Sequence, residues 1–117
     1  MKINIAIDAL AALAQETRLR VFKLLVEAGP EGRAAGAIAE SLGVQAATLS
    51  FHLAQLGHAG LVSSQQQGRF VIYSANFPVM DDLIAYLTDN CCQGGHCLPR
   101  TAQAAGAGKQ RRTAASR

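Results

Sequence analysis

The sequence predicts a mainly α-helical domain closed by one small β-hairpin. Three observations carry this. Apolar residues recur at three- and four-residue spacing in successive windows. Glycine-centred breaks at Gly29-Pro30-Glu31-Gly32, Gly43 and Gly60 separate those windows. Between residues 61 and 74 the pattern changes to two β-prone runs around Gln65-Gln66-Gln67-Gly68. A chain of 117 residues allows one domain.

The elements follow in order. Ile7, Leu10, Ala11, Leu13 and Ala14 place a first helix at about 6–14. Gln15 or Thr17 then precedes a strongly apolar helix at about 17–28, built on Leu19, Val21, Phe22, Leu24, Leu25 and Val26. Residues 35–42, Ala-Gly-Ala-Ile-Ala-Glu-Ser-Leu, form a short third helix ended by Gly43. A fourth helix runs from about 46 to 58, with Leu49, Leu53 and Leu56 on one face. Leu61 to Ser64 and Arg69 to Ser74 make the hairpin. Pro78 opens a last helix at about 79–89 whose stripe is Met80, Leu83, Ile84 and Leu87.

Charge divides the chain unevenly. Residues 1–97 hold Lys2, Arg18, Arg20, Lys23, Arg33 and Arg69 against eight acids. Residues 98–117 hold Arg100, Lys109, Arg111, Arg112 and Arg117 and no acid. The organisation expected is therefore a folded domain over 1–90, a cysteine-rich segment over 91–97, and a disordered basic tail over 98–117. The tail is either an inert solvated extension or a source of non-specific phosphate attraction. No apolar run approaches a membrane span, and Asn4 and Asp8 interrupt the only signal-like stretch. The expectation is a cytoplasmic protein with reduced thiols. No cluster of acid, base or Gly-rich phosphate loop suggests an enzyme.

The second to fourth helices, the hairpin and the closing helix describe a winged helix-turn-helix, in which the fourth helix would enter the major groove of DNA. With Leu49, Leu53 and Leu56 buried, steps of about 100° put Ala47, Ser50, Phe51, Ala54 and His58 on the opposite face. Gln45 stands at the helix start as a candidate cap, and Ala46 and Thr48 flank the exposed face. Gln reads adenine, Ser pairs with several base edges, and small apolar groups touch the thymine methyl. The competing reading makes Ala47 and Ala54 plain helix formers and packs Phe51 on a neighbour. His52, at the rim of the apolar face, reads as a packed, hydrogen-bonded histidine. Gln66, Gln67 and Arg69 sit near the hairpin tip, where Arg69 can enter a minor groove or grip phosphate. Arg18 and Arg20 can contact phosphate or pair with Glu16.

Residues 13–25 (LAQETRLRVFKLL), 38–62 (IAESLGVQAATLSFHLAQLGHAGLV) and 67–74 (QGRFVIYS) resemble the ArsR/SmtB metalloregulators. The likeness covers roughly residues 7–90. It implies a homodimeric repressor that binds a twofold operator and releases it when an inducer ion binds. It places the dimer interface on the first and last helices, here Leu10, Leu13, Leu83, Ile84 and Leu87. Two departures matter. Ala46 and Phe51 stand where the family often has Gln and His. Ala34-Ala35-Gly36-Ala37-Ile38 replaces the frequent Cys-Val-Cys inducer motif, and the last helix lacks the paired Asp and His of the family's Zn(II) sensors.

The three cysteines all fall in Cys91-Cys92-Gln93-Gly94-Gly95-His96-Cys97. Thiolates select soft ions. Structural zinc wants four ligands, which His96 could complete, so Zn or Cd stays open. Three thiolates alone suit pyramidal As(III) or Sb(III), and Gly94-Gly95 lets the chain fold back. A disulfide from Cys97 to Cys91 or Cys92 is also feasible, which keeps thiol redox open. Some arsenic-responsive family members bind the metalloid through a vicinal cysteine pair and a third cysteine after the last helix. The resemblance implies the same for Cys91, Cys92 and Cys97, with As(III) or Sb(III) as inducer.

Overall fold

The computed structural model describes residues 1–94. Its elements run α1 (Ile3–Leu13), α2 (Glu16–Ala28), β1 (Arg33–Ala34), α3 (Ala35–Leu42), α4 (Ala46–His58), β2 (Val62–Gln67), β3 (Phe70–Ala75) and α5 (Phe77–Thr88). Residues Met1–Tyr86 make one compact unit, and a second begins at Leu87. Cys97, His96 and the basic tail lie outside the described residues.

The core follows the predicted stripes. Val21, Phe22 and Leu25 of α2 pack with Ile38 of α3 and Leu49, Leu53 and Leu56 of α4. Leu61, Val62, Ala75 and Leu83 close it, and Ala6 and Ala9 bring α1 against it. Burying each of these Leu, Ile or Phe side chains contributes about 1.5–3 kcal/mol, which offsets the ordering of the chain around it. The Gln15 side chain caps α2, its Oε1 accepting the Arg18 backbone N–H at 2.9 Å. α3 and α4 match their predicted spans. Between them the Val44 N–H returns to the Ala39 carbonyl at 3.0 Å, which closes the turn of the helix-turn-helix.

The sheet departs from the sequence expectation. It has three antiparallel strands in the order β1-β3-β2, where only a hairpin was expected. Arg33 and Ala34 pair with Tyr73 and Ile72. Gly32 makes that approach possible. It has φ +72°, and a Cβ there would fall on the Tyr73 carbonyl. The glutamines expected in the hairpin loop belong to β2, with Gln65, Gln66 and Gln67 opposite Ile72, Val71 and Phe70. The turn is only Gly68-Arg69. Gly68 at φ +62° fills the first central position, as a two-residue type II′ hairpin requires.

Two helices are shifted. α1 starts at Ile3, earlier than expected, because Asn4 and Asp8 occupy its solvent side and break no periodicity. α5 starts at Phe77, so Pro78 lies in its first turn, where no N–H is needed. Asn76 fixes this junction. Its N–H donates to the Leu61 carbonyl at 2.8 Å and its Nδ2 to the Gly60 carbonyl at 3.0 Å. The α4–β2 turn and the start of α5 are thereby held together.

Candidate nucleic-acid interface and thiol segment

α4 presents the residues that the apolar stripe leaves outward. Gln45, Ala46, Ala47, Thr48, Ser50, Phe51 and Ala54 are exposed, while Leu49, His52, Leu53 and Leu56 are buried. Gln45 does not cap the helix with its side chain, so its amide stays available to a partner. Phe51 is 58% exposed and does not pack into the core. Its ring meets the His52 imidazole edge-on, centroids 5.5 Å apart at 66°.

His52, on α4, is held from α2. Arg18 Nη1 lies 3.3 Å from His52 Nδ1, and Arg18 Nε donates to the Ala12 carbonyl at 2.7 Å. A guanidinium only donates, so Nδ1 accepts and the ring proton sits on Nε2. His52 is thus the packed, hydrogen-bonded residue expected from sequence. Arg18 neither pairs with Glu16 nor stands free for phosphate. It ties the end of α1 to α4. Sequence reasoning missed this link because its ends are 34 residues apart and leave no local pattern. The rim position of His52 in an apolar stripe was the available signal that it needed a partner.

At the hairpin tip Gln67, Arg69 and Phe70 are exposed. Gln66 is engaged within the turn, its Nε2 donating to the Gly68 carbonyl at 2.8 Å. Arg69 and the Gln67 amide therefore remain outward.

The helices assigned to dimerisation differ in how much of their apolar surface the protomer uses. On α1, Ile3, Ile7 and Leu10 share a stripe at helical spacing and stay exposed, Ile7 at 56% and Leu10 at 42%. Leu13 is partly buried against the core. On α5, Leu83 is only 6% exposed and serves the protomer's own core, while Ile84 and Leu87 are exposed.

Beyond α5 the backbone turns over Cys91–Gly94. Asn90, Cys92 and Gln93 have φ of 57°, 53° and 58°. Asn tolerates that left-handed region, but Cys and Gln enter it at a cost of about 1–2 kcal/mol each. Cys91 keeps a free thiol. Its Sγ donates to the Cys92 Sγ at 3.5 Å, and Cys92 is in the disulfide form. Among the described residues no group of three His, Cys, Asp or Glu side chains is gathered to hold a metal ion. The start of α3 carries no thiol or imidazole. No helix among the described residues is long and apolar enough to cross a membrane.

Known proteins agree with this architecture. A helix-turn-helix domain model matches residues 13–65. The transcriptional repressor SdpR of Bacillus subtilis (strain 168) is 31% identical over 87 residues, covering 74% of this chain and 93% of that protein. An ArsR-like transcriptional regulator from Rhodococcus sp. RHA1 superimposes with a TM-score of 0.68 at 26% identity, over 79% of this chain and 84% of that one. A possible transcriptional regulator for arsenical resistance does so with a TM-score of 0.60 at 29% identity, over 68% and 80% of the two chains. These proteins are regulators rather than enzymes. By its likeness to these regulators in sequence and in structure, this chain belongs to the ArsR/SmtB family of transcriptional regulators.

Proposed function

We propose that this regulator is a cytoplasmic homodimeric repressor that releases its operator when As(III) or Sb(III) binds Cys91, Cys92 and Cys97. The observation that carries the reading is the vicinal cysteine pair, Cys91 and Cys92, directly after α5, in a chain whose cysteines all lie in residues 91–97. In the reduced protein three thiolates would suit such an ion. With metal–thiolate bonds of about 2.3 Å, sulfurs 3.5 Å apart subtend roughly 100° at a shared centre. That is a pyramidal angle. When bound, the metalloid would supply a three-coordinate anchor for thiolates, and a third sulfur must come from Cys97.

The chain's own residues would do the rest. Ile3, Ile7 and Leu10 of α1, with Ile84 and Leu87 of α5, offer apolar surface to a second copy. Two copies of α4 would enter successive major grooves about 34 Å apart. There Gln45, Ala46, Ala47, Thr48, Ser50 and Phe51 would meet base edges, and Gln67 and Arg69 the flanking backbone or minor groove. Only Asp89 and Asn90 separate α5 from Cys91. Drawing the three cysteines together would move the end of α5, and with it the spacing of the two recognition helices. A coupling of about 1–3 kcal/mol lowers operator affinity roughly 5- to 150-fold.

The disulfide form of Cys92 favours a second reading of the same architecture, in which thiol oxidation is the signal. A mobility-shift assay on the gene's own promoter separates the two. As(III), Sb(III), Zn(II), Cd(II) and peroxide are added singly to the reduced protein. Release by As(III) or Sb(III) alone supports the proposal. Release by peroxide with As(III) inert replaces it with the redox reading, and release by Zn(II) or Cd(II) alone points to a borderline metal.

A further inference from the structure

We infer that Phe51 is a specificity-determining residue that reads the 5-methyl group of thymine in the major groove. The inference rests on the operator-binding reading above and names the base class that α4 selects. From Ala46 to Gly57 the helix has no Lys, Arg, Asp or Glu. The bidentate Arg or Lys contact to guanine, and the carboxylate contact to cytosine, are therefore unavailable to it. Its exposed side chains are two alanines at the start, Thr48, Ser50, Phe51, Ala54 and, in the last turn, His58. Hydroxyls pair with several base edges and discriminate weakly. Beside the Gln45 amide at the helix start, which reads adenine, the largest remaining reader is the phenyl ring.

The ring's exposure needs a physical reason. Phe51 lies among residues whose neighbours Leu49, His52 and Leu53 are buried, yet it is 58% exposed. The edge-on contact with His52 restrains it at 5.5 Å between centroids, and Arg18 holds that imidazole at 3.3 Å. A restrained apolar group on a helix face that docks in a groove loses little rotamer entropy on binding. The thymine methyl is the one apolar group that a base pair shows in the major groove. A ring buried against it gains what uracil, which lacks only that methyl, cannot return.

The test uses a duplex enriched by the full-length protein from a random-sequence pool. Each thymine in it is replaced in turn by uracil, and binding is measured by fluorescence anisotropy. At the contacted thymine, wild type loses about 4-fold in affinity per half-site, equivalent to about 0.8 kcal/mol for one buried methyl, and about 15-fold with both half-sites replaced. Phe51→Ala binds thymine and uracil duplexes equally, and Phe51→Leu keeps part of the difference. Unchanged urea midpoints show that both variants are folded. Wild-type ratios near one at every thymine, or a ratio that survives Phe51→Ala, overturn the inference while leaving operator binding intact. Failure to enrich any duplex overturns operator binding itself, and this inference with it.

Discussion

Gly32→Ala tests whether the unforeseen strand matters. Gly32 is buried, has φ +72°, and its added Cβ would fall on the Tyr73 carbonyl oxygen, 3.0 Å from its carbon and 3.2 Å from Ile72 Cγ2. Two costs follow. An L-residue in the left-handed region loses about 1–2 kcal/mol. Backbone cannot swing aside as a side-chain tip can, so β1 must retreat from β3. That opens the pairing of Arg33 with Tyr73 and Ala34 with Ile72, at roughly 1 kcal/mol for each of about two hydrogen bonds. The lower unfolded-state entropy of alanine returns about 0.5 kcal/mol. The net loss is about 3 kcal/mol, a large part of the roughly 5–15 kcal/mol that holds a domain together. In urea, with a slope of about 1.5 kcal/mol/M, the midpoint falls by about 2 M. Operator affinity falls as well, because β3 is the central strand that carries one arm of the hairpin. A loss below about 1 kcal/mol with unchanged DNA binding would refute the claim that β1 clamps the hairpin.

Three further changes are expected to act through separate causes. Leu25→Ala empties a fully buried site between α2 and its neighbours and costs about 2–5 kcal/mol in urea unfolding. Asn76→Ala removes the Nδ2 bond to the Gly60 carbonyl and costs about 1–2 kcal/mol by the same assay, since it leaves a partly buried carbonyl unpaired. Ile7→Asp places a charge on the exposed α1 stripe. It keeps the protomer's helical circular dichroism, but it shifts sedimentation from dimer to monomer, lowers the urea midpoint through the lost association, and weakens operator binding.

The helices that form the helix-turn-helix were legible because their stripes are regular. Leu49, Leu53 and Leu56 fixed both the span and the outward face of α4. β1 was not legible, since two residues carry no periodicity and their partners in β3 lie about forty positions downstream. The glutamines of β2 read as loop by composition. Their strand conformation comes from register with β3, and as an edge strand β2 exposes them to water, where polar side chains cost nothing. The exposed side chains of the candidate interface followed from helix geometry alone. The Arg18–His52 link did not, because it is a tertiary contact between two helices. Leu83 belongs to the same apolar stripe as Ile84 and Leu87, and only packing shows that the protomer uses it internally. In the thiol segment, sequence supplied the count and the glycine pair, and the structure adds the 3.5 Å separation of Cys91 and Cys92.

The central claim is that thiols after α5 control DNA release. Its most direct measurement is operator binding by fluorescence anisotropy, titrated with As(III), for reduced wild type and for Cys91→Ser, Cys92→Ser and Cys97→Ser. The account predicts equal operator affinity for all four proteins without metalloid. With As(III), wild type weakens roughly 5- to 150-fold while each variant keeps its grip. A wild-type complex indifferent to As(III), or release that persists in all three variants, would contradict it.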